Sequence, residues 1–301
     1  MIFLSCCASP VLRAAPERLA SWTTTLRAQQ PDDAFTAVYD AGPHQLIFIG
    51  AQHSNATDSR TFHLITDAYA LFNIDTVITE GSPRSRGPNS ERLITYASQP
   101  PKDGFQEAGE LAPSVVGALQ EGATIWGGEP DDLDIKSRVL AQGFPLEDLL
   151  GFYTLRSVPQ WVREQKIENA GDPRLRALVE EELTQNRTRL ALEPTVLPAY
   201  ADWASWYQTR NGKPIGPAFA NEEVGPLADG PFGSNKIAAA ISRARAAYLH
   251  ELVISHLNAG ETVLVVFGGS HLMIHRPALD AVVGPPCYAG ADLRAALNCR
   301  G

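Results

Sequence analysis

The sequence is poor in lysine and cysteine and lacks any long apolar run. Only five of its 301 residues are lysine, and 34 acidic residues against 25 basic ones give a net charge of −9 and a pI near 5.3. The absence of a basic face argues against general binding to nucleic acids or to anionic membrane surfaces. No stretch approaches the about 18 apolar residues of a membrane-spanning helix.

The rest of the composition is that of a soluble globular protein. Hydrophobic residues make up 44% of the chain and charged residues 20%. These values exclude a disordered chain and a collagen-like fibre. The length fits one large domain or two modest ones.

The four cysteines form no CxxC pair, which argues against a metal site built from cysteine. Cys287 and Cys299 are twelve residues apart in a tail rich in Gly, Pro and Ala. They either close a small disulfide loop, as in an oxidising compartment, or remain two unrelated thiols.

Residues 1–35 are interpreted as an N-terminal segment. The first eight residues, MIFLSCCA, resemble the end of a bacterial lipoprotein signal, in which Ser5 precedes a lipidated Cys6. They lack the positive start and the roughly 7–15 apolar residues of a secretory signal. If the true start lies upstream, we expect a periplasmic or lipid-anchored protein that contacts a membrane only through its lipid; if Met1 is authentic, we expect a cytoplasmic one.

Apolar periodicity predicts strands that alternate with helices at both ends of the chain. Residues 45–49, 76–79, 123–126 and 262–267 are short β-rich runs, and residues 58–72 and 236–258 have helical spacing. Strand–helix–strand order implies parallel pairs with right-handed crossovers. The sequence therefore predicts an α/β fold with a mostly parallel sheet and flanking helices.

The middle of the chain has a different pattern. Residues 133–233 are mostly helical and end in an irregular stretch rich in Gly and Pro. We interpret them as a helical cap inserted into an α/β core of residues 36–132 and 234–301. Trp203 and Tyr207 in this region are predicted to bind substrate, although aromatic residues at such spacing more often belong to a core.

Polar residues follow each predicted strand. His53 ends a GxxH motif after the first strand, with Asn55 just beyond it as a candidate substrate ligand, and His271 ends a second GxxH after the last. Glu80 and Glu129 stand at the ends of the other two. Ligands of open α/β sheets bind at the carboxyl ends of the strands, so these side chains are predicted to share one site.

Each of these residues has an ordinary structural alternative. A single histidine after a strand is more often a loop or core residue, and a single glutamate often caps the next helix. The repetition of GxxH directly after an apolar run favours a shared site. His250 is expected to be solvated, and His256 and His275 are expected to be peripheral.

Arg245 is a further candidate on the predicted long helix. At 100° per residue it falls on the apolar stripe of Ile241 and Tyr248, whereas Arg243 falls outside it. An arginine on an inward stripe needs an anionic partner. It either pairs with a glutamate to hold the fold, or orients a catalytic carboxylate or binds a substrate oxyanion.

Two segments resemble the TIKI/TraB/GumN families. IFIGAQHSN with its helix and DTVITEG are similar to their opening pattern, and RAAYLHELVISHLNAGETVLVVFGGSHL is similar to their closing unit. The resemblance covers roughly residues 44–82 and 236–274, and it implies a site of His53, Glu80, Arg245 and His271. Ala246 departs from the usual Arg-Asn pair. The wider superfamily includes EreA-type erythromycin esterases and haem-binding ChaN lipoproteins, so the resemblance implies a hydrolase, metal-dependent in the TIKI branch and metal-independent in the esterase branch.

Three hypotheses follow for the chemistry, each with a small molecule or a peptide as ligand. In the first, His53, His271 and Glu80 bind a divalent ion such as Mn, Co or Zn, Glu129 is the general base, and Arg245 stabilises the oxyanion. In the second, a glutamate activates water without metal, since no GxSxG motif supplies a serine nucleophile. In the third, the protein binds haem or another small molecule through a histidine and performs no catalysis.

Overall fold

A computed structural model of the chain describes residues 11–299, so the predicted lipidation at Cys6 lies outside the described residues. Its strands form one six-stranded sheet with the order β4-β3-β5-β2-β1-β6. The strands are β1 (Phe35–Ala41), β2 (His44–Ala51), β3 (Thr76–Pro83), β4 (Thr124–Glu129), β5 (Val263–Gly268) and β6 (Tyr288–Gly290).

The centre of the sheet is parallel, and the predicted α/β fold with a mostly parallel sheet and flanking helices is confirmed. β5 lies between β2 and β3, with Ala51 opposite Gly268 and Thr79 opposite Val266. β4 continues the parallel order beside β3. The carboxyl ends of these four strands therefore meet at one edge.

Two strands were missed by the sequence prediction, and both are antiparallel. β1 pairs with β2 through a two-residue turn at Gly42 and Pro43, and Gly42 has the positive φ of +79° that such turns require. β6 is three residues long and pairs with the other side of β1.

Eleven α-helices accompany the strands within the described residues. They are α1 (Thr24–Arg27), α2 (Arg60–Leu71), α3 (Glu91–Ala97), α4 (Leu111–Glu121), α5 (Asp132–Ala141), α6 (Leu146–Leu155), α7 (Val158–Arg163), α8 (Leu175–Arg189), α9 (Tyr200–Asn211), α10 (Gly233–Asn258) and α11 (Gly269–Val282). None of these helices is both long enough and apolar enough to cross a membrane.

The chain divides into two compact units. The sheet unit contains the described residues 11–20, 29–129 and 246–299, and the helical unit contains residues 21–28 and 130–245. No strand lies in the helical unit as far as the structure describes the chain. The boundary falls within α10, between Arg245 and Ala246.

The sheet unit buries both faces of its sheet. Alternate residues of β2 point to opposite faces, so that Ile47 and Ile49 belong to one apolar cluster, with α2 and α4 residues, while Leu46 and Phe48 belong to another, with α10 and α11 residues. Helices thus cover a sheet whose central strands β2 and β5 are largely apolar, as expected for parallel strands.

The C-terminal tail is tied by a disulfide. Cys287 and Cys299 are bonded, with their Cα atoms 5.5 Å apart. The bond joins the start of β6 to the 3₁₀ helix Leu293–Cys299, whose buried Leu293 packs in the sheet unit's core. The disulfide alternative of the sequence prediction is therefore the one found.

The helical unit has its own core, built from α5 to α9 and the first part of α10. Its largest buried side chains are aromatic: Trp203, Tyr153 and Tyr207 are all 0% exposed. The burial of Trp203 and Tyr207 favours the packing alternative for these two residues over substrate binding.

Candidate functional site

Three of the predicted site residues meet at the carboxyl edge of the sheet. His53 follows β2, Glu80 lies in β3, and His271 lies in the first turn of α11 directly after β5. The carboxylate of Glu80 lies 3.9 Å from Nε2 of His53 and 3.7 Å from Nε2 of His271. Register alone brings these side chains together, because β5 lies between the other two strands.

Gly268 makes this close approach possible. Its backbone N–H donates a hydrogen bond of 2.9 Å to Oε2 of Glu80 and fixes that carboxylate. A Cβ atom at this position would lie only 2.9 Å from Nε2 of His53. The glycine of the second GxxH motif is therefore required by sterics at the site itself.

Glu110 completes the site and was missed by the sequence prediction. Its carboxylate is hydrogen-bonded to Nδ1 of His53. Since a carboxylate only accepts, Nδ1 must carry the proton, which leaves the lone pair of a neutral His53 on Nε2, the nitrogen that faces Glu80. Glu110 precedes α4 and follows an irregular loop, so no strand-end pattern marks it.

Asn55, predicted to bind substrate, holds this loop. Its amide Nδ2 donates to the backbone carbonyls of Gln106, at 2.6 Å, and Glu107, at 3.2 Å. These contacts tie the segment after His53 to the segment that presents Glu110. The observed role of Asn55 is thus to position the loop.

A cavity of about 230 Å³ adjoins the cluster. Its walls combine apolar side chains with the polar groups of the site, as is common in pockets for small molecules. The lining residues include His53, Glu80, Glu110, Thr79, Leu111 and Val266. The buried hydroxyl of Thr79 has no hydrogen-bond partner among the described residues, which makes it a candidate donor or acceptor for a ligand or water.

The exposure of the cluster is graded. The side chain of His53 is 64% exposed, those of Glu80 and Glu110 are 24% and 19% exposed, and that of His271 is 8% exposed. His53 is therefore the member most accessible to a substrate, and His271 is the most buried member.

Two histidines expected to be solvated or peripheral lie buried behind His271. His250 and His275 are both 0% exposed, so the expectation of a solvated His250 was wrong. The ring nitrogens of His275 lie 2.7 Å from the carbonyl oxygen of His271 and 3.0 Å from that of Ala246. Burial, with the neighbouring His271, lowers the pKa of His275 to about 3, and burial also lowers the pKa of His250.

The other predicted site residues are placed differently. Glu129 ends β4 opposite Pro83 and does not line the cavity. Arg245 is half-buried in the part of α10 that belongs to the helical unit. The catalytic roles of these two residues remain predictions.

His53, His271 and Glu80 meet some of the requirements of a metal-binding site. Two imidazole nitrogens and a carboxylate are the ligands of many catalytic zinc sites, and the Glu110–His53 bond is the support that metal-bound histidines usually have. The separations of 3.7 and 3.9 Å are wider than the about 3.3 Å between ligands around zinc. Within residues 11–299 no three His, Cys, Asp or Glu side chains are arranged to hold a metal ion.

Comparison of the chain with family models, curated proteins and solved structures gave no significant match. The resemblance to the TIKI/TraB/GumN families therefore stays a prediction from the quoted motifs.

Proposed function

We propose that the protein is a hydrolase that cleaves an ester or amide bond of a small molecule or peptide at the cavity beside His53. The observation that carries this proposal is the Glu110–His53 pair, which orients the basic nitrogen of an accessible histidine toward a second carboxylate and a second histidine. A histidine fixed by a carboxylate is a common general base in hydrolysis.

In the proposed reaction His53 activates water. Its Nε2 accepts a proton as the water oxygen attacks the carbonyl carbon, and the carboxylate of Glu110 stabilises the imidazolium that forms. His271 donates a proton from its Nε2, which faces Glu80, to the leaving group. After the products leave, His53 releases its proton to solvent and His271 takes one up from solvent, which restores both residues.

His53, His271 and Glu80 are also the residues that would hold a divalent ion such as Mn, Co or Zn. Such an ion would supply Lewis acidity, polarising the carbonyl group and acidifying water. In that form Glu110 keeps the same task of fixing the His53 ring.

The haem alternative has less support from the geometry. A cavity of about 230 Å³ is smaller than the roughly 300–1,000 Å³ typical of drug-sized ligands. It favours a small substrate group over a macrocycle.

The test is hydrolysis of p-nitrophenyl acetate and of a p-nitroanilide by the full chain, with EDTA or with added Mn²⁺ or Zn²⁺. We expect Glu110→Gln and Glu80→Gln to lower kcat/KM by about 10²–10⁴-fold. The control is Glu121→Gln, an exposed residue at the end of α4, which should stay within about twofold of the wild-type rate.

The outcomes separate the two forms of the proposal. Full activity in EDTA supports the metal-free form. Activity lost in EDTA and restored by Mn²⁺ or Zn²⁺ supports the metal form, provided that Glu80→Gln also lowers bound metal. Wild-type rates in Glu110→Gln, or no hydrolysis of either substrate under any condition, would overturn the proposal.

A further inference from the structure

The helical unit carries a group of arginines around one buried tyrosine. Cζ of Arg156 lies 4.0 Å from the centre of the Tyr153 ring, and Cζ of Arg189 lies 5.7 Å from the same point. Tyr153 is 0% exposed, whereas both arginines are open to solvent. Both guanidinium groups thus lie near the ring of one buried tyrosine.

The carboxylate of Asp132 beside Tyr153 already has hydrogen-bond partners. Oδ2 of Asp132 accepts a hydrogen bond of 2.5 Å from Nε of Arg189, and Oδ1 accepts one of 3.1 Å from the hydroxyl of Tyr153. Within the described residues the guanidinium of Arg156 has no hydrogen bond or ion pair to a carboxylate. The negative charge of Asp132 acts on this guanidinium only through space.

The environment of Arg156 disfavours its positive charge. Burial lowers the pKa of Arg156, the positive charges of Arg189 and Arg245 lower it further, and Tyr153 and Asp132 raise it only in part. Guanidinium groups remain charged at neutral pH, so an oxyanion beside Arg156 would offset the repulsion between Arg156 and Arg189.

We propose that Arg156, with Arg189 beside it, binds a small oxyanion of a ligand, a carboxylate or a phosphate, on the helical unit. The planar fork of Arg156 matches two oxygens of such a group, and its stacking on Tyr153 limits the freedom lost on binding. The site is independent of the hydrolytic one, because its residues all belong to the helical unit and its test measures binding.

The experiment is calorimetric titration of the full chain with sodium phosphate and with sodium acetate, using sodium chloride at the same ionic strength as the reference. We expect wild-type protein to bind phosphate, acetate or both more tightly than chloride, and the tighter of the two identifies the oxyanion. Arg156→Ala should weaken that binding about tenfold or more, because a charge-assisted hydrogen bond is lost. Arg156→Lys should weaken it less, because it keeps the charge without the fork.

The matched control is Arg163→Ala. Arg163 is exposed on α7 of the same unit, ten residues after Tyr153 in the sequence. Its replacement should change the affinity less than twofold. Thermal unfolding followed by circular dichroism checks that each variant folds; if Arg156→Ala does not, Arg156→Lys against Arg163→Lys decides. The proposal is wrong if phosphate and acetate bind no better than chloride, or if the Arg156 and Arg163 variants lose equal affinity.

Discussion

The two units of the molecule use buried acidic residues in different ways. In the helical unit, Asp148 is 1% exposed and binds Nε of Arg210 and Nε1 of Trp206, at 2.6 and 2.8 Å. In the sheet unit, Glu80 and Glu110 are partly exposed and line a cavity beside two histidines. An acid that is itself buried and fully bonded holds the fold, whereas a partly exposed acid beside a cavity is available for chemistry.

Glu223 is the clearest example of a buried acid in the helical unit. This residue is 0% exposed, and its carboxylate is bound by the hydroxyl of Tyr207, at 2.5 Å, and by Nζ of Lys213, at 2.8 Å. It fixes the Gly- and Pro-rich stretch after α9. The sequence predicted a long loop that is either functional or mobile, because the order of this stretch depends on bonds to one buried side chain that its Gly- and Pro-rich pattern does not indicate.

The largest expected effect compares the two kinds of acid directly. Glu223→Ala should lower the free energy of unfolding by about 2–4 kcal/mol, because Tyr207, Asn211 and the backbone N–H of Ala220 lose a buried hydrogen-bond acceptor. Glu80→Ala should change it by less than about 1 kcal/mol or increase it, since active-site acids are often kept at the expense of stability. Urea unfolding of both variants measures the difference, and equal destabilisation would remove the distinction between the units.

A second prediction concerns pH and the buried histidine behind the site. The pKa of His275 is lowered to about 3 in the folded chain, so below pH 6.5 the unfolded chain binds a proton that the folded chain does not. His275 therefore contributes to stability above pH 6.5, and this contribution is lost as the pH falls. We expect this loss to lower the free energy of unfolding by about 2 kcal/mol between pH 6.5 and pH 5.

Urea unfolding at both pH values checks this, with His275→Gln expected to reduce the loss and His63→Gln, at an exposed position of α2, expected to leave it unchanged. A neutral imidazole donates to only one of the two carbonyls that it faces. If His275→Gln leaves the pH dependence intact, the pKa of His275 is not lowered and another group causes the loss of stability.

The smallest expected effect concerns the fit of one atom at the sheet edge. Gly268→Ala places a methyl group 2.9 Å from Nε2 of His53 and should displace that ring, lowering the rate of p-nitrophenyl acetate hydrolysis about tenfold, or about 1.4 kcal/mol. Gly216→Ala is the control, because nothing lies within 4 Å of its added Cβ. An unchanged rate in Gly268→Ala would show that the position of His53 is not critical.

Much of the sheet unit could be predicted from sequence for a physical reason. Apolar runs that stop at glycine mark β2 and β5, and parallel register then brings His53, Glu80 and His271 to one edge. β1 was missed although Gly42-Pro43 is a turn signal, because its alternation is interrupted by the apolar Val38 between Thr36 and Asp40. Glu110 was missed because it reaches His53 from a loop, and no periodicity describes a loop.

The arginine cluster of the helical unit could not be predicted in this way. Tyr153 lies on α6, and Arg156 follows that helix directly. Arg189 ends α8, and Asp132 begins α5. Which faces of those helices meet depends on side-chain packing around residues such as Trp203. Helical periodicity predicts which face of a helix is buried, but it does not predict which other helix packs against that face.

The short strand β6 determines how the sheet ends. It covers the outer edge of β1 with three residue pairs, and Cys287 donates its backbone N–H to the carbonyl of Val38 there. The disulfide to Cys299 keeps this small cover in place. An uncovered edge strand is a template for pairing with another chain, so we expect reduction of this disulfide to increase the tendency of the protein to aggregate.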